Sequence, residues 1–158
     1  MPAIYVMDTN SWRVFGNYYP ATFSSFWEQV EQLAARGSLV SCREVASELE
    51  IQNIAPHIDQ WVEDHKRLFS DPTEGEMRWA AEILAVPHFQ QLIGEQQRLK
   101  GLPVADPWVV ARGAALAACV VTEESLKPHA AKIPNVCKHF GVRYTNAEGF
   151  LAELGWRF

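Results

Sequence analysis

The feature of this sequence that most constrains its fold is a set of short apolar runs separated by longer stretches of helical pattern. The first run covers residues 3–7 (AIYVM) and is followed at once by the polar residues 8–10 (DTN). A continuous apolar run, in place of strict alternation, is typical of a strand buried on both faces of a parallel sheet. We predict three further short strands, at 38–42, 119–122 and 142–145.

Between the predicted strands, apolar residues recur at the spacing of an α-helix. Helices are predicted over about 24–36, 43–51, 105–117 and 147–154. The region 57–95 is predicted to be largely helical, interrupted by prolines and a glycine, with a strand fragment at 68–70. This alternation indicates an α/β three-layer sandwich, in which helices flank a central, mostly parallel sheet of four or five strands. Without repeats or linkers, residues 1–158 are expected to form one domain.

The composition argues against a membrane protein and against a disulfide framework. No uninterrupted apolar run approaches the ~20 residues that span a bilayer. The segment before Asp8 has no basic region, so we expect neither a signal peptide nor a membrane anchor. The three cysteines, Cys42, Cys119 and Cys137, are odd in number and lack the spacing of a zinc site. We therefore expect a cytoplasmic protein with no membrane partner.

The charge of the chain is distributed unevenly. The formal net charge is −5, which by itself does not indicate nucleic-acid binding. Residues 1–97 contain 6 Lys and Arg against 14 Asp and Glu, a net charge of −8, whereas residues 98–158 contain 8 against 5, a net charge of +3. An anionic ligand is therefore expected to contact mainly the C-terminal part of the chain.

Several acidic residues fall at or near the ends of predicted strands, where open α/β sheets bind ligands. They are Asp8 after the first strand, Glu48 on the helix after the second, Asp106 at the start of the helix that leads into the third, and Glu123 and Glu124 after the third. Carboxylates that share a small volume repel one another, and a hard cation such as Mg²⁺ or Mn²⁺ relieves that repulsion. Their joint placement predicts a divalent-metal site.

Each acidic residue also has an ordinary structural explanation. Asp106 precedes a proline, as an N-cap residue often does. Asp8 fits a turn that closes the first strand. Glu48 lies one helical turn after Glu44, as expected on a solvated helix face. Glu123 and Glu124 fit ordinary acidic residues of a loop or of the first turn of a helix. Only their order and placement together favour the metal site.

Four motifs of the chain, in order, resemble those of PIN-domain nucleases. The family's motifs carry an aspartate after a strand, a glutamate before leucine, an aspartate opening an alanine-rich helix, and an acidic residue two places after threonine. The corresponding segments are 6–10 (VMDTN), 45–49 (VASEL), 105–111 (ADPWVVA) and 120–124 (VVTEE). The fourth motif maps to Glu124, a glutamate where the family usually has aspartate, with Glu123 beside it. The tail, 132–158, is similar to a PIN-like subfamily of bacterial proteins.

The resemblance implies a metal-dependent endoribonuclease that hydrolyses phosphodiester bonds of single-stranded RNA. Asp8, Glu48 and Asp106 would hold one or two Mg²⁺ or Mn²⁺ ions, which would activate a water molecule. Either Glu124 or Glu123 would complete the metal shell. Polar neighbours expected to orient ligands are Thr9, Asn10 and Thr122.

Basic residues are the candidates for RNA phosphate contacts, although each also fits a solvated surface charge. They are Arg13, Lys127, Lys132, Lys138 and Arg143. The resemblance further implies a toxin that pairs with an antitoxin protein and forms a homodimer.

Two other functions are compatible with the sequence. The first is a catalytically weak or inactive PIN-fold module that binds RNA or a partner protein, and the absence of affinity for divalent metal would favour it. The second is a phosphohydrolase with Asp8 as nucleophile. That chemistry usually needs a second aspartate two residues later, where this chain has Asn10.

Overall fold

Four short strands form a parallel sheet at the centre of the protein. They are β1 (Tyr5–Met7), β2 (Leu39–Val40), β3 (Cys119–Val121) and β4 (Arg143–Thr145). In the computed structural model, which describes residues 2–94 and 99–158, the strand order is β2-β1-β3-β4. Every neighbouring pair is parallel. Helices flank this sheet, which confirms the predicted α/β class with four strands.

The two central strands are buried along their whole length, as a continuous apolar run predicts. All residues of β1 and β3 are buried, whereas the edge strand β4 is largely exposed. The strands are shorter than predicted because flanking residues make other contacts. Ser41 follows β2, and its N–H donates to the carbonyl of Leu68 (2.9 Å) while its hydroxyl donates to the carbonyl of Met7 (2.7 Å).

The α-helices described from end to end are α1 (Thr9–Phe15), α2 (Ser24–Ala35), α3 (Arg43–Gln52), α4 (Pro56–Asp64), α5 (Glu74–Ala85), α6 (Asp106–Leu116), α7 (Ile133–Phe140) and α8 (Ala147–Leu154). Two 3₁₀ helices, Lys66–Leu68 and Pro87–Leu92, follow α4 and α5. The region 57–95 is largely helical as predicted, and its last residue lies outside the described part. No helix within the described ranges combines the length and apolarity needed to cross a bilayer.

Two helices and one strand fragment differ from the prediction. Neither α1 nor α7 was expected, because each is short and opens with residues that also suit a turn. The predicted strand fragment at 68–70 is wrong, because a 3₁₀ helix occupies its start. Two backbone hydrogen bonds nevertheless join this segment to the residues after β2, from Ser41 to Leu68 and from Arg43 to Ser70 (2.9 and 3.2 Å).

Aromatic side chains fill the core between β1 and the helices α1, α2 and α8. The rings of Tyr5 on β1 and Phe150 on α8 meet edge to face, with centroids 5.0 Å apart. Phe15 of α1 and Phe26 of α2 make the same contact at 5.0 Å. Such pairs add to the stabilisation that burial of apolar area already provides. Because successive residues of a strand point to opposite faces, the neighbouring Val6 faces away from this aromatic cluster.

A buried ion pair attaches α6 to α5. Arg112 on α6 donates to Glu76 on α5 with a distance of 2.7 Å, and about 5% of each side chain is exposed. The same guanidinium donates to backbone carbonyls of Ser41, Ser70 and Asp71. This pair was not predicted from the sequence. The signal for it was Arg112, the one charged residue in the otherwise apolar stretch after Asp106, because buried arginines are almost always paired.

Candidate active site

The candidate site lies where the two central strands end. β1 and β3 are neighbours, but the chain leaves β1 toward β2 and later returns to the other side of the sheet. Such a switch point opens a crevice beyond the carboxyl ends of the strands. Asp8 follows β1 directly, and its N–H continues the ladder by donating to the carbonyl of Val121 (2.9 Å). Residues 122–124 follow β3, so both groups of polar side chains meet at this crevice.

Asp8 is buried and held by two hydrogen bonds. One carboxylate oxygen accepts from the N–H of Thr9 (2.8 Å), which makes Asp8 the N-cap residue of α1. The other oxygen accepts from the hydroxyl of Thr122 (2.9 Å). Burial raises the pKa of Asp8 to about 7, against the effect of these hydrogen bonds and with a contribution from the charges of Glu124 and Glu48. The structural role and the proposed chemical role therefore coincide at this residue.

Glu48 connects three parts of the site. Its Oε1 accepts from the hydroxyl of Thr9 (2.6 Å), and its Oε2 accepts from the N–H of Ala105 (3.0 Å), directly before α6. Burial is the main cause that raises its pKa, and the charge of Glu124 adds to it. These contacts point Glu48 inward, so the explanation as part of a solvated helix face does not hold.

Asp106 is the first residue of α6, and the N-cap position belongs to Ala105. The capping explanation for Asp106 is therefore not realised. The pKa of Asp106 is raised to about 8, first by burial and then by the charges of Asp8, Glu124 and Glu48, while Lys132 opposes the shift. This carboxyl group lies in the field of the other acidic residues.

The two adjacent glutamates after β3 have different contacts. Oε2 of Glu124 accepts from the N–H of Ile133 at the start of α7 (2.9 Å). Its charge raises the pKa values of three other acidic residues, which are Asp8, Glu48 and Asp106. Oε2 of Glu123 accepts from the hydroxyl of Ser11 (2.8 Å) and from the N–H of Ala147 (2.9 Å), which joins α1 to α8. Glu124 thus lies with the acidic group, whereas Glu123 braces two helices.

The three polar neighbours predicted from the sequence all contact acidic residues. Thr9 donates to Glu48 and Thr122 donates to Asp8, as described above. Oδ1 of Asn10 accepts from the N–H of Glu123 (2.9 Å). Ser11, which holds Glu123, was not predicted, because serine in a polar stretch carries no distinctive signal.

The predicted phosphate-binding residues are spread over the surface. Lys132 is the N-cap residue of α7 and lies close enough to Asp106 to lower its pKa. Arg13 lies on α1, and its Nη1 is 3.5 Å from Oε1 of Gln52.

The other three predicted residues lie in the C-terminal part of the chain. Lys127 is exposed in the loop between Glu124 and α7. Lys138 is in the last turn of α7, at the end away from Glu124. Arg143 is the first residue of β4 and pairs with Glu153 at 3.2 Å, so it lies at the amino ends of the strands, away from the acidic residues at their carboxyl ends.

The chemistry of the acidic group fits a hard divalent cation. All donors are carboxylate oxygens, which Mg²⁺ and Mn²⁺ prefer, and the hydrogen-bonded oxygens keep lone pairs for a ligand. Within residues 2–94 and 99–158, however, no three His, Cys, Asp or Glu side chains are grouped as a ready metal site. The two observations are compatible, because charges influence one another over longer distances than those of a metal coordination shell.

The sheet order and the flanking helices define an α/β protein with a central parallel sheet. The sequence matches the family described as "Domain of unknown function (DUF4411)" over residues 5–158, so the chain belongs to that family. Its structure is similar to a chain in the crystal structure of VapBC2 from Rickettsia felis bound to a DNA fragment from their promoter, with a TM-score of 0.51 and 17% identity over 90% of this chain and 98% of that one. No curated protein matches the sequence significantly.

Proposed function

We propose that this protein is a divalent-metal-dependent endoribonuclease that hydrolyses single-stranded RNA, and that it is the toxin of a toxin–antitoxin pair. The observation that carries the nuclease proposal is the group of four acidic residues at the switch point: burial raises the pKa values of three of them, and the charge of the fourth, Glu124, adds to each of these shifts. The four residues come from four separate elements and are Asp8, Glu48, Asp106 and Glu124. The fold likeness to the VapBC2 chain and the motif resemblance to PIN-domain toxins support the same proposal.

In this proposal Asp8, Glu48 and Asp106 hold Mg²⁺ or Mn²⁺, and Glu124 completes the site. When bound by these carboxylates, such an ion would lower the pKa of a water molecule and would stabilise negative charge on the scissile phosphate. Thr9 and Thr122 keep Glu48 and Asp8 in place through their hydroxyl groups. Such hydrogen bonds matter because mutation of a residue that orients a metal ligand typically lowers metal affinity or activity by about 10–100-fold.

The basic residues nearest the carboxylates are proposed to bind RNA phosphates. Lys132 has the strongest support, because its charge already acts on Asp106. Arg13 and Lys127 lie on segments that adjoin the crevice. Lys138 and Arg143 lie further away, so we expect them to contribute only to a longer RNA track.

The direct test is cleavage of labelled single-stranded RNA with titrated Mn²⁺ or Mg²⁺ and with a chelator. We expect Asp106→Asn to lower the cleavage rate by more than about 100-fold, because ligand loss should exceed the effect of losing a supporting residue. The matched control is Asp64→Asn, an exposed residue at the end of α4, which should cleave like the wild type. Cleavage that persists with chelator, or equally in Asp106→Asn, would contradict the proposal.

An interaction module without catalysis is the second candidate, favoured by the fact that the described acidic side chains are not grouped as a ready metal site. Isothermal titration calorimetry with Mn²⁺ separates the two functions. Saturable binding that Asp106→Asn weakens supports the nuclease, whereas no binding leaves the interaction module. The antitoxin partner and the homodimer are tested by co-expression with the neighbouring gene product and by light scattering.

A further inference from the structure

A groove of about 750 Å³ lies between α1 and the end of α3. Its α1 side carries residues at helical spacing from Asn10 to Asn17, and its α3 side follows Glu48 by one helical turn. Apart from Val14 and Glu123, the lining residues are Asn10, Arg13, Asn17, Gln52, Asn53 and Ile54. We propose that this groove binds an unpaired RNA base next to the scissile phosphate and so sets sequence preference. The proposal rests on the nuclease function proposed above.

The position of the groove connects it to the candidate active site. Asn10 lines the groove and also accepts a hydrogen bond from the N–H of Glu123 (2.9 Å) after β3. Gln52 lies four residues after Glu48 on α3, which places it roughly 6 Å further along the helix axis. A strand of RNA with its phosphate at the carboxylates therefore has a neighbouring nucleotide within reach of the groove.

The side chains of the groove suit a base better than a phosphate. Four of them are carboxamides, each with donors and an acceptor, and carboxamides pair with base edges. The one basic lining residue, Arg13, is the candidate for a phosphate contact at this end, and the acidic Glu123 balances its charge, so the groove as a whole has no net positive charge. Arginine side chains also stack on unpaired bases. Val14 and Ile54 are half-buried and provide apolar contacts for the base.

The same composition disfavours a protein partner in this groove. Protein interfaces are usually centred on buried aromatic or large apolar anchors, and here the apolar lining consists of Val14 and Ile54. The side chains of Arg13, Asn17 and Gln52 are exposed, and the hydrogen bond between Arg13 and Gln52 is long at 3.5 Å. They can therefore turn to a ligand without breaking strong contacts.

The test compares cut sites in a randomised single-stranded RNA pool for the wild type and the Asn17→Ala/Gln52→Ala double variant. We expect about a 10-fold preference at one position flanking the cut in the wild type and about 2-fold or less in the double variant. Cleavage of disfavoured sequences should stay within about 2-fold, because such sequences gain nothing from the amides. The matched control, Gln32→Ala on the exposed face of α2, should keep the wild-type profile. An unchanged profile in the double variant, or a wild type without preference, overturns the proposal.

A second measurement separates this proposal from the nuclease function. Fluorescence anisotropy gives the affinity of short RNAs for Asp106→Asn with and without the two groove substitutions. If the wild type does not cleave but the groove substitutions weaken RNA binding more than 5-fold, the nuclease proposal fails and the base-binding groove stands. If RNA affinity is unaffected, the groove proposal fails. If the substitutions weaken binding of a partner protein alone, the groove is a protein interface and the proposal also fails.

Discussion

Two positions on α6 lie at buried acidic groups in opposite electrostatic settings. Near its middle, Arg112 neutralises the buried Glu76 at 2.7 Å and also satisfies nearby carbonyl groups. At its first residue, Asp106 lies with Asp8, and their pKa values are raised to about 8 and about 7. Lys132 is the cation that lowers the pKa of Asp106 from nearby. The same helix thus contributes to a neutral ion pair, at Arg112, and to a group of acidic residues with excess negative charge, at Asp106.

This contrast indicates that acidic residues serve two purposes in the protein. A buried carboxylate with an arginine partner supports the fold, since removal of either partner leaves a charge in an apolar environment. A buried group of carboxylates without such a partner weakens the fold unless a cation binds. A divalent ion, as proposed above, would supply the positive charge that balances these carboxylates.

The largest expected effect concerns the ion pair between Arg112, near the middle of α6, and Glu76 of α5. We expect Arg112→Met to lower the free energy of unfolding by about 3–5 kcal/mol, because Glu76 remains buried without a partner. Chemical denaturation monitored by tryptophan fluorescence measures this change. The control is Arg78→Met, which removes an exposed pair with Glu74 and should cost less than about 1 kcal/mol.

The second prediction concerns the pH dependence of the metal-free protein. An acid whose pKa is raised on folding stabilises the folded state below its unfolded pKa, and that contribution is lost as the pH rises through the folded pKa. For Asp8 and Asp106 the loss extends from about pH 4 to about pH 8. Between pH 6 and 8 we expect a decrease of about 2–3 kcal/mol, and saturating Mn²⁺ should remove most of it.

The double variant Asp8→Asn/Asp106→Asn isolates the contribution of these two groups from that of the histidines. Its unfolding free energy should vary less with pH than that of the wild type, and Mn²⁺ should not change it. An equal pH dependence in both proteins would show that the two aspartates titrate normally.

The third prediction is that loss of Asp106 stabilises the fold while it abolishes activity. Asn keeps the size of the side chain but removes the charge that burial and the neighbouring acids disfavour. We expect Asp106→Asn to raise the unfolding free energy by about 1–2 kcal/mol at pH 7.5 without metal. Thermal unfolding with chelator provides the measurement. A lower melting temperature would show that the carboxylate is structural.

The strands and long helices could be predicted from the sequence because burial leaves a pattern. The continuous apolar run before Asp8 predicts a strand covered on both faces, and β1 is such a strand. The short helices α1 and α7 leave little pattern. Asp8 caps α1 through Thr9, which also suits a turn, and Pro134 stands in the first turn of α7. Proline is compatible with the first turn of a helix but also suits a turn, so it does not by itself identify a helix.

The approximate position of the acidic site was predictable because strands of one parallel sheet end at a common edge. The separate roles of Glu123 and Glu124 were not, because adjacent loop residues point wherever the backbone turns. The hydrogen bonds that distinguish them come from Ser11, Ile133 and Ala147, and these contacts depend on helix packing. The ion pair of Arg112 likewise depends on tertiary placement.

The smallest expected effect distinguishes these two glutamates. Glu123→Ala removes a side chain that accepts hydrogen bonds from Ser11 and Ala147. We expect it to lower the unfolding free energy by about 1 kcal/mol, a typical net contribution of hydrogen bonds, and to keep cleavage within about 3-fold of the wild type. Glu124→Ala should instead lower cleavage and Mn²⁺ affinity by roughly 10–100-fold.

Both variants are compared at 20 °C, where each should remain folded, so that stability and activity are read separately. Glu82→Ala, an exposed residue on α5, serves as the control for the substitution itself. If Glu123→Ala has the greater loss of Mn²⁺ affinity, the assignment of the two residues is reversed. Glu123, which joins α1 to α8, would then belong to the metal-binding acids, and Glu124 would be the acid with a structural role.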